Sequence, residues 1–266
     1  GSFSADPPPP DLSTLTTSDT NGDGSIDRLV ATFTEAVDES TLAAGNFSTD
    51  IGTVTTVVDD GTPSDAVIWV NLTDGALATD QTPQLTIAAG GIEDLAGNPN
   101  TLISGFASTD AAGPAILTAV ASDETTVAVG IDNDDTVTLT FSEDTSTPAI
   151  NAGTINAVLA LSGAHSWLDG AGGITSAVWS SASVLVITLS DTTSDPTVAV
   201  GDTIATDGAT ITDGSANGSS TAASPAITGT FSADSTPPDL STLTTSDTDG
   251  DGSIDRLVAT FTEAVD

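Results

Sequence analysis

Residues 28–34 read Arg28-Leu-Val-Ala-Thr-Phe-Thr34, and residues 136–142 read Thr136-Val-Thr-Leu-Thr-Phe-Ser142. Both alternate. Leu29, Ala31 and Phe33 fall on one face of the first, and Val137, Leu139 and Phe141 on one face of the second. Thr on the opposite face suits a pleated surface in water, so the pattern predicts half-buried strands. Further strands are predicted at 66–72, 84–88 and 102–108, and then at 115–121, 175–180, 184–189, 198–205 and 226–232. Asp60-Gly61, Asp74-Gly75, Asp169-Gly170 and Asp213-Gly214 supply turns between strands. Short helical turns are expected near 39–45 and 151–158. About seven short strands per 100–125 residues predicts an all-β chain of immunoglobulin-type sandwiches.

The strand at 28–34 lies in a long repeat. Residues 229–266 match residues 1–38 at 34 of 38 positions, 228 residues apart, with differences at positions 2, 7, 8 and 21. Near-identity at that period indicates a tandem array of large modules. Phe3-Ser-Ala-Asp6, Phe106-Ala-Ser-Thr-Asp110 and Phe231-Ser-Ala-Asp234 are each read as a final strand running into a Pro-bearing connector. The repeat unit is therefore two different domains in an elongated array. Residues 1–6 end a preceding module, 7–110 form domain A, 111–234 form domain B, and 235–266 begin a second, truncated copy of A. A few strands cannot bury both faces of a sandwich. Continuation of the chain is the expected completion, with strand donation from a neighbouring chain as the other route.

Thirty-eight acidic residues face two basic ones, Arg28 and Arg256, for a net charge of −36. Charge attraction to nucleic acid or to anionic lipid is excluded. The apolar share of 38% in alternating runs points to folded domains rather than an acidic disordered chain. The imbalance comes mainly from missing Lys, which favours cation sites over a carboxylate coat adapted to salt. The chain has no Cys, so disulfides and thiolate metal sites are excluded. No signal peptide or membrane span is visible, and a segment from inside an array would show neither.

The strongest local pattern is Asp19-Thr-Asn21-Gly-Asp23-Gly-Ser25-Ile-Asp27, which recurs as Asp247-Thr-Asp249-Gly-Asp251-Gly-Ser253-Ile-Asp255. Calcium takes six to eight hard oxygens. Oxygen side chains at positions one, three and five (Asp19, Asn21, Asp23) converge around the sharp turn at Gly24. Ser25 would offer its carbonyl at position seven, and Asp27 would bind at nine, directly or through water. Position twelve is Val30, in a strand, so this is no helix–loop–helix EF-hand. An ion-free Asp/Gly hairpin turn is the competing reading.

A second set is expected at the joints. Glu35, Asp94 and Asn98 would lie at one end of domain A near linker residue Asp110. Glu143 and Asp144 of domain B would approach linker residue Asp234, and Asp132 and Asp134 belong to another oxygen-rich loop, 132–135. Such carboxylates would share an ion that stiffens the joint, against the reading as solvated acidic loops.

Catalytic constellations are absent from the sequence. His165 is the only His, read as a loop residue packed beside Trp167, and no nucleophile motif accompanies it. Carboxylate pairs are too common here to indicate glycoside hydrolysis. In Ala66-Val-Ile-Trp-Val-Asn-Leu72, Ile68, Val70 and Leu72 should face the core, leaving Trp69 outward as a contact between modules or as a partly covered residue. The sequons at 46–48, 71–73 and 217–219 are read as chance matches in a Ser/Thr-rich chain.

Phe33-Thr-Glu-Ala-Val-Asp38, Thr41-Leu-Ala-Ala-Gly-Asn-Phe47, Ile92-Glu-Asp-Leu-Ala-Gly-Asn98 and the Phe106 strand resemble the bacterial Ig-like repeats of S-layer proteins and large adhesins. The Asp-rich loop is similar to the calcium loops of dockerins and of surface proteins. Domain B matches at Phe141-Ser-Glu-Asp144 and departs at Ile211-Thr-Asp-Gly-Ser-Ala-Asn217, where the Asp-Leu-Ala-Gly-Asn motif reads as stretched. The resemblance implies a non-enzymatic structural segment of a calcium-stabilised protein, extracellular or on a prokaryotic cell surface. Its partners would be neighbouring repeats and further copies, in a stalk, lattice or filament. A ligand-binding or enzyme-accessory module is the alternative, since fold alone does not decide function.

Overall fold

The computed structural model describes residues 8–123, 130–232 and 238–262. The first sandwich contains Leu12–Ser18 (β1), Arg28–Phe33 (β2), Phe47–Thr49 (β3), Val54–Asp59 (β4), Val67–Leu72 (β5), Gln84–Ile87 (β6) and Ile103–Ala107 (β7). One sheet has the order β1-β2-β5-β4 and the other β3-β6-β7. The period-two pattern decides which face turns inward. Leu29, Ala31 and Phe33 of β2 and Ile68, Val70 and Leu72 of β5 are all buried, in one core with Phe47, Leu85, Ile87 and Ile103 of the other sheet. Each fully buried Leu or Ile contributes roughly 1.5–3 kcal/mol. Two 3₁₀ turns, Glu39–Thr41 and Ala44–Asn46, occupy the expected helical stretch.

The second sandwich contains Ile116–Ser122 (β8), Thr136–Phe141 (β9), Leu159–Leu161 (β10), Ser176–Ser181 (β11), Val184–Thr188 (β12), Ile204–Thr206 (β13) and Thr228–Gly229 (β14). Its main sheet runs β11-β12-β9-β8-β14, and β10-β13 forms the smaller layer. A single helical turn, Ile155–Val158, adds Ile155 and Val158 to the core beside Trp167. The Trp167 indole is fully buried and donates to the Leu159 carbonyl at 2.6 Å.

Leu240–Ser246 (β15) and Arg256–Phe261 (β16) form a hairpin with the register of β1 and β2. Leu240 opposes Phe261 as Leu12 opposes Phe33, and Ser246 opposes Arg256 as Ser18 opposes Arg28. Its apolar face is open: Leu243 is 57% exposed and Leu257 65%, against 1% for Leu15 and 0% for Leu29. The hairpin is thus set by local sequence, whereas its burial in the first sandwich comes from the rest of that sandwich.

Several expectations change. The strand expected at 198–205 is confined to Ile204–Thr206, because the chain turns at Gly201 with φ of 98°. The strand expected at 226–232 shortens to Thr228–Gly229, and Phe231 packs into the core from outside it. Trp69 faces outward as expected and takes the partly covered of its two readings. The Arg28 guanidinium lies 3.9 Å from its ring centroid, fixed by a 3.0 Å bond from Arg28 Nε to Asn71 Oδ1.

Candidate metal centres at the domain joint

The β1–β2 turn is built by its own side chains. Asp19 Oδ1 accepts the Gly22 N–H at 2.6 Å and Oδ2 the Gly24 N–H at 2.8 Å. Asn21 Oδ1 accepts from the Asp23 N–H and Asp23 Oδ1 from the Ser25 N–H, both at 3.0 Å. Gly22 and Gly24 have φ of 77° and 92°, a region that L side chains enter only with strain. The second loop repeats the design, with Asp247 accepting the Gly250 and Gly252 N–H groups at 2.7 and 2.8 Å. Asp247, Asp249 and Asp251 each offer a carboxylate oxygen within 4.8 Å of the others.

Positions one, three and five of the second loop therefore converge, while position nine of both loops and the Ser25 hydroxyl of the first serve as anchors. Asp27 accepts the Thr20 N–H at 3.1 Å and the Thr20 hydroxyl, and Asp255 does the same with Thr248. The Ser25 hydroxyl donates to the Leu77 carbonyl at 3.0 Å and accepts the Gly75 N–H at 2.9 Å, whereas Ser253 is exposed. An all-oxygen donor set in a chain nearly devoid of basic groups fits a hard cation such as calcium.

The two loops differ in what covers them. A Cβ on Gly22 would lie 2.2 Å from Ser220 Oγ, and one on Gly24 2.5 Å from Leu117 Cδ2, both of domain B. Around Gly250 and Gly252 there is nothing within 4 Å. Burial accordingly raises the Asp19 carboxyl above its ordinary range, while the Gly252 and Gly250 N–H groups hold Asp247 below it.

A second cluster sits at the same joint. Asp110, Glu143 and Asp213 each offer a carboxylate oxygen within 4.8 Å of the others. Asp110 is held by the Thr17 hydroxyl at 3.3 Å and the Ala112 N–H at 3.2 Å. Asp213 Oδ1 accepts the Ser215 and Asn217 N–H groups at 2.8 and 2.7 Å, and Oδ2 accepts Asn217 Nδ2 at 2.7 Å. Glu143 follows β9 and is 7% exposed. Burial, then the charges of Asp110, Asp213 and Asp80, push its carboxyl up to about 7 against a bond from Thr79 that lowers it. Asp110 is raised as well, by burial and by the facing Asp213 carboxyl.

This corrects the expected grouping of Asp110 with Glu35, Asp94 and Asn98. Asp110 docks on Thr17, near the Ser18 end of β1, whereas Glu35 follows the opposite end, where Phe33 pairs with Leu12. A seven-residue strand separates these ends by about 20 Å. Linker Asp110 thus belongs with the sandwich that follows it. Asp94 instead accepts the Ala96 and Asn98 N–H groups at 2.8 Å and Asn98 Nδ2 at 2.7 Å. These bonds, the Asn98 side chain first, hold its carboxyl low.

The expected pairing of Glu143 and Asp144 with Asp234 also changes. Glu143 joins Asp110, and Asp144 is exposed on the rim of the same cleft. Ser232 meets Gly130 at 2.9 Å, beyond the opposite end of β9; Asp234 itself lies outside the described residues. Asp132 and Asp134 lie in the β8–β9 turn, which occupies the place of the Asp19–Asp27 turn, since Ser122 opposes Thr136 as Ser18 opposes Arg28. The Asp132 N–H donates to Asp135 Oδ2 at 3.0 Å. His165 is held by Asp202, with Nδ1 2.8 Å from Oδ2.

Asp213 is the member that the sequence reading missed. Ile211–Asn217 is not a stretched motif. It has the seven-residue span of Ile92–Asn98, the same bonds from its Asn to its Asp, and a positive φ at Ala216 (67°) where the other has Gly97 (87°). The Asp-x-x-x-Asn spacing shared by both loops was the available signal.

Residues 6–109 match the family model of the bacterial Ig-like domain, so the first sandwich is similar to members of that family. No curated protein and no solved structure matches the chain.

Proposed function

We propose that this chain is a structural repeat segment of a large calcium-stabilised protein of a prokaryotic cell surface or extracellular matrix, working as part of a stalk, lattice or filament. The observation that carries this reading is the position of the Asp19–Asp27 loop, seated against domain B, in a turn that returns 228 residues later. A cation held by Asp19, Asn21 and Asp23 would order the turn and, through it, the contact between sandwiches. Neighbouring repeats are the natural partners, since a duplicated pair extends reach without adding chemistry. The three Trp are engaged within the fold, on Arg28, the Leu159 carbonyl and the Pro148 carbonyl, which weighs against an aromatic sugar platform.

The test is thermal melting of the whole chain in calcium and in chelator. An ion present at a hundredfold its dissociation constant adds about 2.7 kcal/mol. Chelation should then lower Tm by roughly 5–10 °C. Superimposable melting curves would remove the calcium role.

A further inference from the structure

The Asp110–Glu143–Asp213 cluster has a feature that the turns lack. Glu143 is 93% buried, from its 7% exposure, and its Oε1 has no hydrogen-bond partner. Thr79, at the end of a relay across the joint, is the group whose bond lowers the Glu143 carboxyl. In that relay the Ala115 N–H donates to Ser142 Oγ at 2.9 Å, and Ser142 and Thr79 share a 2.7 Å bond. Glu143 thus lies beside groups of both sandwiches, with its Oε1 left without a donor. A buried acceptor in that state is costly unless something electropositive meets it.

The protein offers nothing positive to meet it. Arg28 and Arg256 are the only Arg or Lys residues; Arg28 is stacked on Trp69, Arg256 is exposed on β16, and the one His, His165, is held by Asp202. The charges around Glu143 are all negative: Asp110, Asp213 and Asp80, with Asp144 on the cleft rim. A proton satisfies one pair of facing carboxyls but leaves the third group repelled. A divalent cation satisfies all three at once, taking an oxygen from each carboxylate, with waters from the cleft completing the six to eight hard oxygens of a calcium shell. The cleft over the cluster is open to solvent, with a volume of ≈ 400 Å³, so an ion and its waters have a route in.

We propose that Asp110, Glu143 and Asp213 bind one calcium-class divalent cation that fastens the linker and domain A to the head of domain B. This site shares no ligand with the Asp-rich turns, so it stands or falls apart from the turn reading.

Equilibrium dialysis of the full chain against calcium chloride at pH 8 tests it by counting bound ions. Glu143→Gln with Asp213→Asn should bind one ion fewer than the unaltered chain. Asp19→Asn, Asp23→Asn, Asp247→Asn and Asp251→Asn together should retain one ion. Asp110→Asn, at a partly exposed position, should weaken that ion at least tenfold while native Trp fluorescence is kept, which separates ligand loss from unfolding. An unchanged ion count in the Glu143/Asp213 variant, or no ion in the turn variant, overturns the joint site. An unchanged count in the turn variant instead sinks the turn reading and leaves the joint site standing.

Discussion

The Ser220 hydroxyl of the second sandwich donates to the Gly22 carbonyl in the Asp-rich turn of the first, at 3.2 Å. The same turn recurs at Gly250 with no neighbour within 4 Å, so the chain holds its own control. Gly22→Ala places a Cβ 2.2 Å from Ser220 Oγ at φ of 77°, whereas Gly250→Ala incurs only the strain of φ 76°. Left-handed strain costs about 1–2 kcal/mol and overpacking about 1–3 kcal/mol. Calorimetry should show Gly22→Ala lowering Tm of the paired sandwiches by roughly 5–15 °C, with Gly250→Ala leaving it in place.

Glu143 sets a pH dependence. Its folded-state pKa, pushed up to about 7, lies above the ordinary 4.5, so between these values the folded chain holds a proton that the unfolded chain has released. This group's penalty is absent below pH 4.5 and grows as pH rises through about 7. Asp110, Asp213 and Asp80 face the same carboxylate and keep the sign. In chelator, Tm should fall between pH 5 and pH 8, and Glu143→Gln should flatten that slope. A slope identical in the variant would place its origin elsewhere.

Trp167 anchors the second core. Trp167→Ala empties a fully buried site and should cost about 3–5 kcal/mol in urea unfolding. Trp167→Phe keeps most of the volume but strands the Leu159 carbonyl, for about 1–3 kcal/mol.

Arg28→Ala removes the cation over Trp69, worth about 0.5–1 kcal/mol at a partly exposed site. Acrylamide quenching of Trp fluorescence should rise in that variant, and should stay unchanged in Arg256→Ala.

The sandwich faces were legible wherever strands alternate strictly, as in β2, β5 and β9. β4 escaped notice because its pairing with β5 is irregular between Val54 and Thr56, which breaks the alternation. β3 and β10, at three residues each, are too short to show a period. The oxygen-bearing side chains of the turn were legible because one loop carries them all. The Asp110 cluster was not, because it depends on the end at which the chain leaves a sandwich, a property of topology that no local pattern records. Asp213 was within reach through its match to Asp94, once the equal spans are counted.

The closing strand of domain B, β14, lies parallel to its opening strand β8, with Thr228 opposite Val120. In domain A the Thr17 N–H donates to Thr109 O at 3.1 Å, and the Thr109 N–H donates to Leu15 O at 2.8 Å, again in parallel. Force applied along the polypeptide therefore loads these bonds in shear, all at once, rather than unzipping them in turn. Each sandwich is clamped where tension would enter and leave it.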